Sequence, residues 1–321
     1  MAATASHTGK RVDFMSRLSH TQRITRPPPA TVAVLLARVT RQLQRARLHY
    51  GHGTERARDD AAALVWHALR LPRQPGAARL RRGATERQRE ALRALVARRI
   101  GERIPVVYLT RRCWFAGLEF YVDERVLIPR SPLAELIERG FAPWIDASRV
   151  RRVADVGTGS GCIAVACARA LPRARVDALD ISLAALAVAR RNIRRHRLGR
   201  RVRALHSDYL SALAPGAYDI IVSNPPYVGR SEMATLPAEY RHEPAAALAA
   251  GNDGLDAVRA ILRDAARCLR AGGILVVEVG NSERRVRQRF PRLPFTWLQF
   301  SRGGGGVFLL TREQLPARVG N

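Results

Sequence analysis

The stretch Tyr218-Asp219-Ile220-Ile221-Val222-Ser223-Asn224-Pro225-Pro226-Tyr227 decides how this chain is folded. Its first six residues form a short apolar run, which is typical of a buried strand. Neither proline has an N–H to donate to a neighbouring strand, so the strand is predicted to stop at Asn224. In open α/β sheets, ligands bind at the carboxyl ends of the strands. The stretch therefore predicts a ligand site that contains an amide, a rigid turn and an aromatic ring.

The chemistry of these residues indicates which group they would hold. The side-chain oxygen of Asn224 and the carbonyl of Pro225 are both hydrogen-bond acceptors, so a planar NH2 group that bridges them would be fixed in orientation. Tyr227 is predicted to cover the face of that group. The alternative is an ordinary strand-ending turn, because Asn-Pro and Pro-Pro are common in loops.

A second pattern lies upstream of this stretch. A predicted strand over residues 152–156 leads into Gly157-Thr158-Gly159-Ser160-Gly161, which is followed by a predicted helix over residues 162–171. Glycines in such a turn let a ligand approach the backbone closely. The next predicted strand, over residues 175–179, runs into Asp180, and an acid at that position typically binds ribose hydroxyls. Together these features predict a nucleoside-binding site.

The remaining pattern predicts an α/β fold with a seven-stranded, Rossmann-like sheet. Further strands are predicted over residues 201–206, 218–223, 273–279, 295–300 and 306–311, the last two as a hairpin, and further helices over residues 182–196, 253–269 and 282–290. Ser131 is predicted to cap a helix over residues 133–139, with Pro132 at its first position.

Four segments are predicted along the chain. Residues 1–29 are rich in Ser, Thr and Arg and indicate a disordered extension. Residues 30–103 have helical periodicity and predict a small domain of three or four helices. Residues 104–130 mix aromatic and β-branched residues and predict a linking β-hairpin. Residues 131–321 then form a predicted α/β domain.

Composition limits the class of protein. The chain has 321 residues, of which 47% are hydrophobic, so it is long enough to bury a large core. No apolar run reaches the ~18 residues of a membrane span, and no secretory signal is apparent. The four cysteines form no C-x-x-C pair, which favours reduced thiols in a cytoplasmic protein over disulfides or a zinc site. We therefore expect no membrane association and no metal.

The net charge of +28 invites a nucleic-acid interpretation. However, Lys10 is the only lysine, and arginine is frequent on every predicted helix, which indicates a general bias in composition. The charge therefore predicts a weak, general attraction to an RNA-rich particle rather than a specific nucleic-acid groove.

Two motifs carry a resemblance to a known class of enzyme. Asp155-x-Gly157-x-Gly159-x-Gly161 resembles motif I of class I methyltransferases, and Asn224-Pro225-Pro226-Tyr227 resembles motif IV of the amino methyltransferases. NAD-binding domains also have a glycine-rich turn, but with a wider G-x-x-G spacing. The resemblance implies S-adenosyl-L-methionine as the cofactor.

Three further stretches, at residues 121–132, 239–255 and 278–282, resemble the protein N5-glutamine methyltransferases. The release-factor branch of that family usually has Pro-Glu-Thr-Glu after Ile-Pro-Arg, whereas this chain has Ser131-Pro132. With residues 49–54 and 295–297, this resembles the branch that methylates ribosomal protein L three, and the likeness covers roughly residues 31–315. It implies methyl transfer to the side-chain amide nitrogen of a glutamine in that protein.

The resemblance also implies that the helical domain of residues 30–103 recognises the substrate and that residues 131–321 form the S-adenosylmethionine-binding catalytic domain. It further implies site residues. Asn224, Pro225, Pro226 and Tyr227 are expected to hold the substrate. The expected cofactor-binding residues are Asp155, Gly157, Thr158, Gly159, Ser160, Gly161, Asp180, Asp208, Tyr209 and Asn224. No general base is required, and neither Glu243 nor Glu278 is expected to be catalytic.

Three alternatives remain open. The first is glutamine methylation of peptide chain release factors, and the second is amino methylation of a nucleic-acid base. The sequence offers no target-recognition domain for a nucleic-acid enzyme after the catalytic half. The third is a non-catalytic ribosome-assembly protein, although every expected motif position is intact.

Overall fold

Helices form the first half of the segment before the sheet in the described part of the chain. In a computed structural model, which describes residue 2 and residues 30–316, the helices before the first strand are α1 (Val32–Arg45), α2 (Ala57–Ala68), α3 (Ala77–Leu80), α4 (Glu86–Gly101) and α5 (Val106–Thr110). Their buried apolar side chains, such as Leu43 and Leu64, share one core. This agrees with the predicted three or four helices before residue 101. The extension predicted for residues 1–29 lies, apart from residue 2, outside the described residues.

A short hairpin follows, formed by β1 (Cys113–Phe115) and β2 (Leu118–Phe120), which pair antiparallel. Ala116 and Gly117 between them both have positive φ, as a two-residue hairpin turn of the mirror-image type requires. The hairpin is shorter than the segment 104–130 predicted for it, because the apolar run that forms α5 is helical. Short apolar runs fit a buried helix as well as a strand, so periodicity alone could not separate the two.

The rest of the chain is built around a seven-stranded sheet. Its strands are β3 (Arg152–Val156), β4 (Arg175–Asp180), β5 (Val202–His206), β6 (Tyr218–Ser223), β7 (Leu269–Glu278), β8 (Thr296–Trp297) and β9 (Val307–Thr311). Their order is β5-β4-β3-β6-β7-β9-β8; the first five are parallel, and β9 pairs antiparallel with both β7 and β8. The predicted seven strands and the terminal antiparallel pair are thus confirmed.

Helices cover both faces of this sheet. They are α6 (Leu133–Glu138), α7 (Cys162–Ala170), α8 (Leu183–Arg195), α9 (Arg230–Met233), α10 (Asp256–Cys268) and α11 (Glu283–Arg289). Successive strand residues point to opposite faces, so Val153 lies in one core cluster and Ala154 in the other. The short α9, and the 3-10 turns Ala238–His242 and Ala245–Ala247, were not predicted because that stretch has no apolar periodicity.

The topology brings the two predicted motifs together. Strand β3 lies between β4 and β6, and in the register of the sheet Val156 is opposite both Leu179 and Ser223. The carboxyl ends of these three parallel strands therefore lie side by side. The glycine-rich turn, Asp180 and Asn224 follow those ends directly, as expected for a ligand site at a point where the strand order reverses.

Three observations concern the described part of the chain only. None of its helices is long and apolar enough to cross a membrane. It holds no group of three or more His, Cys, Asp or Glu side chains arranged to bind a metal ion. The four cysteines are buried and free.

Candidate active site

A cavity of about 220 Å³ opens at the carboxyl edge of the sheet. It lies between the turn after β3, the ends of β4, β5 and β6, and residues 125–131 and 244–247. The predicted site residues that line it are Gly157, Thr158, Gly159, Ser160, Asp180, Asp208, Tyr209, Asn224 and Pro226. A second cavity of about 400 Å³, beside Trp66 and Trp114, contains none of the predicted site residues.

The glycine-rich turn exposes its backbone to the cavity. Gly157 and Gly159 have φ values of +71° and +53°, which side chains other than glycine rarely adopt. A Cβ atom on Gly159 would meet no atom within 4 Å, so a ligand has free access to the main chain there. Gly161 has another role, because a Cβ atom on it would lie 3.2 Å from Ala189 on α8. Gly161 therefore permits close helix packing and does not line the cavity.

Asp155 lies beneath this turn rather than in the cavity. Its carboxylate is fully buried, and Oδ2 accepts hydrogen bonds from the Thr158 hydroxyl at 2.5 Å and from the backbone N–H of Ala164 at 3.0 Å. Burial raises the pKa of Asp155 to about 7. The side chain thus connects the turn to the first turn of α7 and supports the ligand site indirectly.

Asp180 stands at the end of β4 and faces the turn. Its Oδ2 accepts from the backbone N–H of Gly159 at 2.8 Å, and its Oδ1 accepts from the backbone N–H of Ser182 at 2.9 Å. Burial raises the pKa of this carboxyl, although both N–H groups act in the opposite direction. Each carboxylate oxygen retains a lone pair, so Asp180 can still accept from a hydroxyl group in the cavity. Of the predicted residues that follow β5, Asp208 is exposed and Tyr209 is half-buried with φ +44°.

Asn224 offers an unused acceptor. Its Oδ1 is buried, and no donor within the described residues reaches it. The preceding Ser223 hydroxyl donates to the carbonyl of Val156 at 2.7 Å and so ties the end of β6 to the end of β3. A buried acceptor without a partner costs about 1–3 kcal/mol, so this oxygen is expected to be satisfied by a ligand.

Tyr227 and Pro225 do not line the cavity. The Tyr227 hydroxyl donates to Oε1 of Glu278 over 3.5 Å, and its ring lies where a Cβ atom on Gly280 would come within 2.7 Å. The Ser131 hydroxyl donates to the other oxygen of Glu278. Burial raises the pKa of Glu278 to about 7 and raises that of Tyr227 well above its usual range. The contacts with Glu278 and Gly280 therefore fix the ring of Tyr227, which follows Asn224 by three residues in the chain.

Sequence reasoning missed one wall of the cavity. Arg125, Arg130, Pro244, Ala246 and Ala247 contribute to it. Arg130 forms an ion pair of 2.8 Å with the buried Glu243, whose carboxylate also accepts from the backbone N–H of Ile128 at 3.2 Å. Residues 121–132 and 239–244 belong to the stretches that carried the family resemblance, which was the one available signal for this wall.

The cavity fits the cofactor that the resemblance implies. An open glycine backbone suits the amino-acid part or the ribose of S-adenosylmethionine, and Asp180 provides a carboxylate for ribose hydroxyls. Apolar groups such as Ile163 and Pro226 supply surface for a purine ring or a thioether chain. The donor set and the shape therefore suit a nucleoside linked to an amino acid.

Known proteins resemble the chain over both of its parts. The family model for the PrmC N-terminal domain matches residues 34–110, and the model for the methyltransferase small domain matches residues 139–251. The ribosomal protein uL3 glutamine methyltransferase of Neisseria meningitidis serogroup B is 46% identical over 286 residues, which cover 89% of this chain and 94% of that protein. The protein of the same name from Neisseria gonorrhoeae is 45% identical and covers 89% of this chain and 95% of its own length.

Proposed function

The chain belongs to the ribosomal protein uL3 glutamine methyltransferase family, and we propose that its cavity carries out the family reaction on a glutamine side chain of uL3. The methyl donor is S-adenosylmethionine, and the acceptor is the amide nitrogen of the glutamine. One observation carries this assignment: the buried Oδ1 of Asn224, which accepts no hydrogen bond from the part of the chain that the structure describes, stands at the edge of the cavity that holds the glycine-rich turn.

The residues of the cavity have separate tasks. The backbone of Gly157 and Gly159 and the carboxylate of Asp180 would hold the cofactor, and Asp155 would keep the turn in shape. When bound, S-adenosylmethionine supplies a methyl group on a positively charged sulfonium. Asp208 and Tyr209 border the same space after β5.

Asn224 and Pro225 would orient the glutamine. A primary amide is a poor nucleophile because its nitrogen lone pair is delocalised into the carbonyl. If Oδ1 of Asn224 and the carbonyl of Pro225 accept the two N–H bonds, the nitrogen is held in one direction and gains pyramidal character. Holding a reactant in the attack geometry and preorganising acceptors around it account for most of the rate in this proposal.

Pro226 and Tyr227 make this arrangement rigid. The two prolines restrict the backbone after β6, and the Tyr227 ring is held by Gly280 and Glu278. The proposal needs no general base, because an N-methylated, protonated amide is a strong acid that loses its proton to water. Glu278 and Glu243 therefore have supporting roles through Tyr227 and Arg130.

A weak attraction to ribosomal RNA is a further part of the proposal. The net charge of +28 supports it, since arginine side chains on the surface interact with phosphates without reading a sequence. This electrostatic attraction would favour methylation of uL3 that is already bound to RNA over methylation of free uL3.

The test is a transfer assay with three acceptors. Purified enzyme and S-adenosylmethionine are incubated with uL3, with a peptide chain release factor, or with RNA, and the methylated residue is located by tandem mass spectrometry. We expect one methyl group on a glutamine side chain of uL3. Methylation of the release factor alone, or of an RNA base alone, would overturn the assignment of the substrate.

A further inference from the structure

One wall of the cavity is formed by a segment that lies between β6 and α10 in the chain. This wall segment, residues 238–247, consists of two 3-10 turns, Ala238–His242 and Ala245–Ala247. Pro244, Ala246 and Ala247 line the cavity opposite the glycine-rich turn. Short 3-10 turns have poor hydrogen-bond geometry, so the position of the segment depends on its side-chain contacts.

Glu239 anchors the wall segment in the helical part of the chain. Its side chain is fully buried, and Oε1 accepts from the backbone N–H of His49 at 3.0 Å. The same oxygen lies 3.4 Å from Nη1 of Arg99 and 3.3 Å from Nε of Arg103. A buried carboxylate with three donors from the helical part is therefore the main polar connection between that part and the cavity wall.

Arg99 belongs to the same cluster and is buried as well. Its Nε forms an ion pair of 2.7 Å with Oδ2 of Asp60, and its Nη2 donates to the carbonyl of His49 at 2.9 Å. Asp60 in turn accepts from the hydroxyl of Thr54 at 2.5 Å. Two guanidinium groups thus face two carboxylates. Breaking a buried ion pair by removing one partner is strongly destabilising, so the guanidinium and carboxylate groups of this cluster are expected to keep their positions in the folded protein.

Other contacts continue along the wall segment. The ring of Tyr240 packs edge-on against the buried His52, with ring centroids 4.4 Å apart, and Nε2 of His242 is 2.8 Å from the carbonyl of Glu102. At the far end of the segment, Glu243 binds Arg130 and the backbone N–H of Ile128. The segment is therefore fixed at one end by the helical part and at the other end by residues that border the cavity.

From these contacts we propose that Glu239 is a positioning residue for the cofactor cavity. Arg99 and the backbone N–H of His49 hold the Glu239 carboxylate in place. Through the wall segment, this carboxylate then determines the positions of Pro244, Ala246 and Ala247. The inference goes beyond methyl transfer itself and rests on the cavity being the S-adenosylmethionine site. It makes the helical part of the chain a structural component of that site.

Substitutions at two residues of this cluster can distinguish a positioning role of Glu239 from a general contribution to the stability of the fold. Glu239→Gln keeps an oxygen for the His49 N–H but removes the charge that faces Arg99. Asp60→Asn removes a charge from the same Arg99, but within the described residues the side-chain hydrogen bonds and ion pairs of Asp60 go to Thr54 and Arg99 and not to the wall segment. Each variant leaves Arg99 with one buried carboxylate, so we expect similar losses in melting temperature.

Cofactor affinity should distinguish the two variants. By calorimetry we expect Glu239→Gln to raise the Kd for S-adenosylmethionine about tenfold, and Asp60→Asn to change it less than about twofold. In the cofactor-free protein, we expect hydrogen exchange at the turn amides of Ala247 and Leu248 to be faster in Glu239→Gln than in Asp60→Asn. This second readout does not depend on the ligand.

Should Glu239→Gln not fold, His242→Ala removes a more exposed contact of the same segment and should raise the Kd about threefold. Equal weakening of cofactor binding by Glu239→Gln and Asp60→Asn would overturn the positioning role, as would an unchanged Kd in a folded Glu239→Gln. If the parent protein itself does not bind S-adenosylmethionine, the proposed function fails, and the hydrogen-exchange comparison alone then tests whether Glu239 positions the wall segment.

Discussion

The backbone N–H of Gly159 donates a hydrogen bond to Oδ2 of Asp180 over 2.8 Å, which joins the turn after β3 to the end of β4. Because the other oxygen of Asp180 accepts from the N–H of Ser182, the carboxylate is held in one orientation beside the cavity. A fixed acceptor loses little entropy when a ligand binds. The relationship therefore supports Asp180 as the residue that binds the ribose hydroxyls of the cofactor.

Replacing Asp180 tests that role. Asp180→Ala removes charge-assisted hydrogen bonds to the ribose, so we expect cofactor binding to weaken by roughly 2–4 kcal/mol in a calorimetric titration. Asp264→Ala is the control, since that carboxylate pairs with Arg263 on α10 and lies outside the cavity. Equal affinity in Asp180→Ala and the parent protein would rule out the ribose assignment.

The contact between Gly280 and Tyr227 can be tested with a matched pair of glycines. Gly280 and Gly272 both have a left-handed φ, +46° and +70°, so alanine strains the backbone at either position by roughly 1–2 kcal/mol. Only at Gly280 would the new Cβ atom meet Tyr227, at 2.7 Å, whereas at Gly272 it meets nothing within 4 Å. We expect Gly280→Ala to lower the methyl-transfer rate about tenfold or more and Gly272→Ala to retain it. Similar rates in the two variants would show that the position of Tyr227 does not matter.

The raised pKa of Glu278 predicts that the stability of the protein depends on pH. Its pKa is about 7 in the folded protein and near 4.5 in an unfolded chain, so the folded state holds this proton more tightly. Stability is therefore lost as the pH rises through this range. Between pH 5 and pH 7, the free energy of unfolding measured in urea should fall by roughly 2 kcal/mol more for the parent than for Glu278→Gln. Glu283→Gln, which changes a half-buried carboxylate that pairs with Arg287 on α11, serves as the control. Parallel pH profiles for the parent and Glu278→Gln would contradict the prediction.

The role of the charge can be measured through ionic strength. If arginines contact ribosomal RNA, methylation of an RNA-bound uL3 should fall by about tenfold or more between 50 mM and 200 mM salt, because each phosphate contact releases counterions. A short glutamine peptide from uL3 carries no phosphate, so its methylation should change little in the same series. A flat response for both substrates would favour a bias in composition as the origin of the +28 charge.

Much of the fold follows from local sequence signals. The strand before Asn224 and the strand before Gly157 were predicted with the bounds that the structure shows, because each is a short apolar run that ends in residues unable to continue a sheet. The glycine-rich turn and Asp180 come together because parallel strands end at the same edge. Their roles in binding stay predictions, and so do the domain boundaries at residues 103 and 130.

The wall of the cavity could not be predicted in the same way. Glu239 and Arg99 are far apart in the chain, and nothing in the local sequence around either residue indicates that they pair. The 3-10 turns of the wall segment lack the periodicity of a helix or a strand. Gly161 is the opposite case. Its place in the motif predicts a contact with the ligand, but a Cβ atom at this position would meet Ala189 on α8 instead.

The most direct measurement is single-turnover methyl transfer to uL3 by Asn224 variants, beside cofactor titrations of the same proteins. Asn224→Ala removes the acceptor, and Asn224→Asp adds a negative charge that stabilises the positive ground state more than the transition state. We expect both to lower the rate by about 100-fold or more, with a much smaller change in cofactor affinity. Methyl transfer by Asn224→Ala at nearly the parent rate would contradict the account, because the stretch after β6 would then be only a turn.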